Sequence, residues 1–294
     1  MRVVAVDIGG TNTKICICDE HGRIDQFTEY ETESHKGGPF VISKLIDQIT
    51  KYEGFDAIAV STAGQVNAEE GYIIYANENI PAYTGMRIKG QLEERFHVPV
   101  KVENDVNAAA LGEAFFGAAQ HVDSFLCLTY GTGIGGAIVM NRTIYKGANG
   151  VAAEFGHMFT HPQGDAPLGG KPYYESFAST TALVRNARRV DPDCVNGRIL
   201  FGKVKQGDQS LRAVLDAWID EVSLGLASLI HIFNPAAVIV GGGVMEQEEL
   251  VQLIENRTKS LIMPSFADVS ILKASLGNKA GVLGALSLYL DDQK

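Results

Sequence analysis

The chain of 294 residues carries 25 Lys and Arg against 35 Asp and Glu, a net charge of −10, with 46% hydrophobic and 20% charged residues. That length holds one large domain or two ordinary ones, each burying its own core, and the composition excludes intrinsic disorder. The acidic balance argues against broad nucleic-acid binding, which needs a basic face, although a net-acidic chain can still carry a small basic site.

In chain order, MRVVAVDIGG predicts a buried first strand rather than a signal peptide, because Asp7 interrupts a short apolar run. Gly9-Gly10 turns the chain into the strand KICICD, and Glu20-His21-Gly22 turns it again into RIDQFTEYE. Residues 34–38 read as a mobile loop, followed by a helix over about 39–52 with Phe40, Val41, Leu45, Ile46 and Ile49 at helical spacing. DAIAVSTAG and GYIIYAN read as strands, MRIKGQLEERF as a helix, VPVKVEND as a short strand and 108–116 as a helix. From Ser124 the logic repeats, since FLCLTYGTGIGGAIVM is again strand, glycine-rich turn and strand. Residues 175–224 are helix-rich with a turn at Asp191-Pro192, and VSLGLASLIHIF is a buried helix stopped by Asn234-Pro235. AAVIVGGGV is a strand running into glycines, and KAGVLGALSLYL is a last helix.

This alternation, with apolar strands throughout, predicts an α/β protein built on largely covered mixed sheets. Two hairpin-with-glycine-loop units about 120 residues apart suggest a duplicated architecture with a cleft between the halves. The expected division is 1–117 plus 281–294 for one lobe and 118–280 for the other. No stretch approaches the roughly 18 apolar residues that span a bilayer, so no membrane partner is expected. Cys16, Cys18, Cys127 and Cys194 form no CxxC pair and read as core thiols of a cytoplasmic protein, Cys16 and Cys18 sharing one strand face.

Chemistry concentrates at a few places. In Asp7-Ile8-Gly9-Gly10-Thr11 a carboxylate closes a buried strand, and two glycines let backbone N–H groups approach an anion. Asp7 suits Mg²⁺, directly or through water, while a plain glycine hairpin turn explains the same residues. Gly131-Thr132-Gly133-Ile134-Gly135-Gly136 lies between two strands, which speaks against a dinucleotide fingerprint and for a second grip on a nucleotide's phosphates. Gly241-Gly242-Gly243 suits close approach of a base or ribose. Asp105, at a strand-to-helix junction, reads either as a helix N-cap or as a general base for an attacking hydroxyl. Glu154-Phe155-Gly156-His157 and Glu175 offer planar polar groups for adjacent sugar hydroxyls, although a bare loop histidine is more often structural.

Together, DIGGTNTK at 7–14, ENDVNAAALGE at 103–113, GTGIGGA at 131–137, EFGH at 154–157, IVGGGV at 239–244 and GNKAGVLGA at 277–285 resemble the ROK family of repressors and sugar kinases. The resemblance implies an actin/hexokinase-like (ribonuclease H-like) fold with ATP and a sugar in a central cleft. It makes Asp105 the base for the sugar's 6-hydroxyl, with Gly64, Asn79, Asn104, Glu154, His157 and Glu175 around the sugar. Asp7 would support Mg²⁺, with Gly9, Gly10, Thr11, Thr132 and Gly133 on the phosphates and Gly242 and Gly243 on the adenosine. Family members often dimerise, so a homodimer is expected.

Two departures qualify the resemblance. The first strand starts at residue 2, which leaves no helix-turn-helix ahead of it and disfavours a DNA-binding repressor. Where family members carry a CxCGxxGCxE run after GH, the stretch HMFTHPQGDAPLGGKPYYE holds no cysteine, so no structural zinc is expected. Tyr173 and Tyr174 are then expected to stack on a second sugar, which leans the reading toward a β-glucoside kinase acting on the non-reducing glucosyl unit of cellobiose-like substrates. The alternatives are glucokinase, N-acetylmannosamine kinase or fructokinase, or, in another class, a non-catalytic sugar sensor.

Overall fold

The computed structural model describes residues 1–162 and 171–290. The chain forms two compact units, one of residues 1–121, 138–152 and 278–294, the other of 122–137 and 153–277.

The first unit is built on β1 (Arg2–Ile8), β2 (Asn12–Asp19), β3 (Ile24–Glu31) and β4 (Ala57–Thr62), with β5 (Gln65–Asn67) and β6 (Tyr72–Tyr75) as a small hairpin, and β7 (Val100–Asn104). Its main sheet runs in the order β3-β2-β1-β4-β7. The β1–β2 and β2–β3 pairs are antiparallel, whereas β1–β4 and β4–β7 are parallel. Six consecutive residues of β4 are buried, as expected for a strand covered on both faces. Helices α1 (Gly38–Ile49), α2 (Ile88–Phe96) and α3 (Asp105–Phe116) belong to this unit. The core gathers Val4, Val6, Ile42, Leu45, Ile58 and Val60, among others. Residues 34–36 are a short 3₁₀ turn rather than an open loop. Lys36 pairs with Glu33, and the Gly38 N–H donates to the Pro81 carbonyl at 2.7 Å.

The second sheet repeats the plan in the order β10-β9-β8-β11-β12, from β8 (Phe125–Tyr130), β9 (Ile134–Met140), β10 (Thr143–Ile144), β11 (Ala237–Gly241) and β12 (Ser270–Lys273). Parallel β11 joins β8 on one side and β12 on the other, as β4 joins β1 and β7. Around it lie α4 (Tyr174–Ala178), α5 (Thr180–Val190), α6 (Gly197–Lys205), α7 (Gln209–Phe233) and α8 (Glu248–Lys259). The chain ends on α9 (Ala280–Leu290), which belongs to the first unit and packs on α3, β1 and β4. Glycines let α9 approach closely: a Cβ on Gly284 would lie 2.2 Å from the Ala108 carbonyl oxygen, inside any van der Waals distance.

The four cysteines are buried and reduced, and Cys16 and Cys18 share a strand face with their sulfurs 3.4 Å apart. Among the described residues no helix is long and apolar enough to cross a membrane.

Candidate active site

Within the first unit the sequence-predicted residues meet at the ends of β1 and β7. The N-cap of α3 is Asn104, not Asp105. Asn104 Oδ1 accepts from the N–H groups of Val106 (2.9 Å) and Asn107 (3.1 Å). Its Nδ2 donates to the Gly64 carbonyl at 3.0 Å and to Asp105 Oδ1 at 2.9 Å. An amide has two donors and two acceptor sites, so Asn104 is saturated by the protein itself. Gly64 has φ +98°, a conformation that suits glycine and brings its carbonyl to Asn104.

Asp105 is thereby the first residue of the helix. Its Oδ1 is fixed by Asn104 and by the Val106 N–H at 2.9 Å, while among the described residues no hydrogen bond reaches Oδ2. Burial, with the nearby charge of Asp7 second, pushes the Asp105 carboxyl up to about 6. A half-fixed carboxylate with one free oxygen and a proton affinity near neutrality has the properties of a general base.

Asp7 ends β1 beside Lys14 (3.6 Å), and accepts from Ser61 Oγ at 3.3 Å. Burial raises its carboxyl while Lys14 holds it down. A Cβ on Gly281 of α9 would stand 2.1 Å from the Asp7 carboxyl carbon, so Asp7 is set between β1 and a helix that must carry glycine there. The Gly9-Gly10-Thr11 turn is strapped to Thr32, whose Oγ1 donates to the Gly9 carbonyl at 2.7 Å. Asn79 lies exposed on the turn after β6, its N–H bonded to Asn77 Oδ1.

Within the second unit Glu175 is the organising side chain. Its Oε2 accepts from the Ile134 N–H at 3.2 Å, and a Cβ on Gly133 would lie 2.4 Å from that oxygen. The 155–157 turn packs equally closely, since a Cβ on Gly156 would meet the Ile134 carbonyl oxygen at 2.3 Å. His157 Nδ1 lies 3.5 Å from Glu154 Oε2, and its ring meets Tyr173 edge-on at 5.0 Å. Tyr173 meets Phe159 in the same way at 5.1 Å.

Tyr174 corrects an expectation. It is fully buried, bonded to Tyr130 Oη at 2.9 Å and donating to the Val222 carbonyl at 2.8 Å, so it packs the core and cannot stack on a ligand. A Cβ on Gly225 would overlap its ring at 2.2 Å. The stretch expected to replace a zinc site is described only in part, because 163–170 lie outside the described residues. Among the described residues no three His, Cys, Asp or Glu side chains form a metal-binding group. His161 instead meets Glu221 at 3.3 Å and stacks on Phe177 with centroids 3.8 Å apart, tying this segment to α7.

The glycines divide by cause. Gly9, Gly133 and Gly242 serve the fold. A Cβ on Gly242, which has φ +101°, would collide with the Tyr130 carbonyl at 2.2 Å. Gly10, Gly131 and Gly243 have open space where a Cβ would stand and no positive φ. Nothing in the protein's own packing requires glycine there, so the backbone at these turns is open to close approach.

Two sheets of one plan, with a half-fixed carboxylate at a capped helix start and glycine turns facing open space, belong to an actin/hexokinase-like fold. The comparisons agree. The ROK family model matches residues 3–292, and the chain belongs to the ROK family. It is 30% identical to a glucokinase of Thermotoga maritima (98% of this chain, 97% of that protein) and 30% identical to a β-glucoside kinase of Klebsiella pneumoniae (97% and 95%). The structure of a ROK family glucokinase from Streptomyces griseus in complex with glucose and AMPPNP matches with a TM-score of 0.84 at 31% identity, covering 98% of this chain and 99% of that one.

Proposed function

We propose that this sugar kinase of the ROK family moves the γ-phosphoryl group of ATP to the 6-hydroxyl of a glucose-type sugar, with a lean to the non-reducing glucosyl unit of β-glucosides such as cellobiose. The observation that carries the chemistry is Asp105, held through Oδ1, with Oδ2 free and its carboxyl raised to about 6. It orients the 6-hydroxyl and takes its proton as the oxygen bonds to phosphorus and the bond from phosphorus to the β-phosphate oxygen breaks, releasing ADP. Asn104 serves as a positioning residue for Asp105 and Gly64, since its own polar atoms are used up. Gly10, Thr11, Gly131, Thr132 and Gly243 present backbone amides and hydroxyls to the donor. Glu154 and His157 hold sugar hydroxyls, and Glu175 sets the turns on which they stand.

The residues present fit Mg²⁺. Asp7 and Asp105 are acidic groups whose negative charges oppose one another, and Asp7 is the residue that would hold the ion. When bound, Mg²⁺ supplies charge neutralisation on the donor phosphates.

The β-glucoside lean rests on Tyr173, whose ring stands beside His157 and the exposed Phe159 as a platform for a second sugar ring. Glucokinase is the alternative that the names of the Thermotoga and Streptomyces relatives support. ATP-dependent ADP release with cellobiose and with glucose, compared by kcat/KM, tests the choice. Preference for cellobiose, reduced by Tyr173→Ala while glucose turnover is kept, is the expected outcome. Preference for glucose rejects the platform.

A further inference from the structure

The second unit contains a cavity of about 1340 Å³, above the roughly 300–1,000 Å³ of ordinary small-ligand pockets. Gly131, Thr132 and Gly243 stand at one part of its lining, while α5 and α6 contribute a basic wall. Arg185, Arg188 and Arg189 recur on α5 at the spacing of one helix face, as do Arg198 and Lys205 on α6.

The pairing of these cations separates them from most of their unit. Lys203 faces Asp191, Arg212 faces Asp216, Arg257 faces Asp220, Lys259 faces Glu255 and Lys273 faces Glu248. Among the described residues Arg188, Arg189, Arg198 and Lys205 have no carboxylate partner. Arg185 donates one bond, to the Ser176 carbonyl at 2.8 Å, and keeps a buried Nε with none. Of this unit's described cations that lack a carboxylate partner, all but Lys171, which lies over the Tyr173 ring, thus line one cavity, where they repel one another. Among the described residues Glu246 is the one acidic side chain of the lining and offsets that repulsion only in part, whereas a multiply charged anion offsets the rest. Guanidinium groups spread over two helices suit phosphate oxygens in particular.

Distance places these cations away from the glycine loops. The Thr181 N–H bonds to the Gly131 carbonyl at 3.4 Å, so α5 starts at that loop. Arg188 is seven residues further on, about 11 Å at the helical rise. We infer that the α5–α6 wall is a second phosphate subsite of the donor site, taking a phosphate carried about 11 Å beyond those held at Gly131 and Gly243. This rests on the reading of those glycines as the donor's phosphate grip. Two ligands present such a phosphate: a chain of inorganic phosphates, or a nucleotide phosphorylated on its ribose.

Calorimetric titration of the sugar-free protein with linear hexaphosphate, tripolyphosphate, ATP phosphorylated on its 3′-hydroxyl, and ATP tests the subsite. The expected result is that hexaphosphate binds at least tenfold more tightly than tripolyphosphate, which is too short to reach it, or the 3′-phosphorylated ATP at least tenfold more tightly than ATP. The one that does identifies the source. The gain is lost in the triple variant Arg188→Gln, Arg198→Gln, Lys205→Gln and falls in part in Arg198→Gln alone. All three side chains are exposed, and a far-ultraviolet dichroism melt checks that the variants fold. No gain for either probe, or an equal gain in the triple variant, overturns the inference. Because no sugar is present, the two readings fail separately. Arginine-dependent binding without sugar phosphorylation rejects the kinase and keeps the subsite, and phosphorylation without such binding does the reverse.

Discussion

Asp105→Asn separates catalysis from stability and tests the account of the base directly. The variant keeps the side chain's shape and an Oδ1 acceptor for Asn104 and the Val106 N–H, so the start of α3 is preserved. Loss of a positioned base lowers kcat by about 10²–10⁴-fold. Stability moves the other way. Raising the carboxyl from 3.8 to about 6 means that the folded state disfavours the charged form by about 3 kcal/mol. That penalty is present above the folded value, shrinks as pH falls toward the unfolded value and vanishes below it, where both states are protonated. The neutral amide removes it, so the variant is more stable by about 3 kcal/mol at pH 7.5 and about half that at pH 5. Urea unfolding at the two pH values measures the difference, and steady-state turnover is read on the same samples. Near-normal turnover, or a variant less stable than its parent at pH 7.5, would refute the reasoning. In the parent, kcat/KM is expected to fall as pH drops through about 6.

Gly281→Ala puts a methyl against the Asp7 carboxylate and is expected to cut kcat more than tenfold, while costing less stability than a clash with backbone because a side chain gives way. Gly284→Ala meets the Ala108 backbone instead and is expected to cost about 1–3 kcal/mol in urea unfolding. A reversal of that pattern would contradict the packing described for α9. His161→Ala leaves Glu221 half-buried without its imidazole partner, one of its oxygens already lacking a hydrogen-bond partner. A loss of about 1–2 kcal/mol is expected, much of it recovered in the double variant with Glu221→Gln. Absence of recovery would mean that the pair does not act as a unit.

The sequence displayed the parts of this site more clearly than their division of labour. ENDVN announces a capped helix after a strand, but both Asn104 and Asp105 are good caps, and only the backbone geometry gives the cap to Asn104 and leaves Asp105 Oδ2 free. Tyr173 and Tyr174 are neighbours of the same type. The start of α4 sends one into the core and leaves the other beside His157, an alternation that a five-residue helix does not signal in advance. Helix α8 and strand β12 carry no clear sequence signal, because EELVQLIENRTK is amphipathic without a strong cap and SILK is too short for a period-2 pattern. The glycine loops were legible as motifs, yet which glycines serve the fold and which face open space depends on neighbours far along the chain. The basic wall of α5 and α6 was hidden for a related reason, since composition counts charges and cannot count pairs.

Helix α9 also sets a timetable. It packs on β1, although more than 270 residues separate them and β1 is made first. At about 5–20 residues per second, roughly 14–56 s of synthesis pass between the two. Through that interval Asp7, and Asp105 from its own synthesis onward, lack the helix that packs behind them, while the whole of the second unit can emerge and fold first. Contacts so distant in sequence are slow to form. Asp7 and Asp105 therefore come into register only once α9 has been made, and a chain released before it is an incomplete first unit attached to a finished second one.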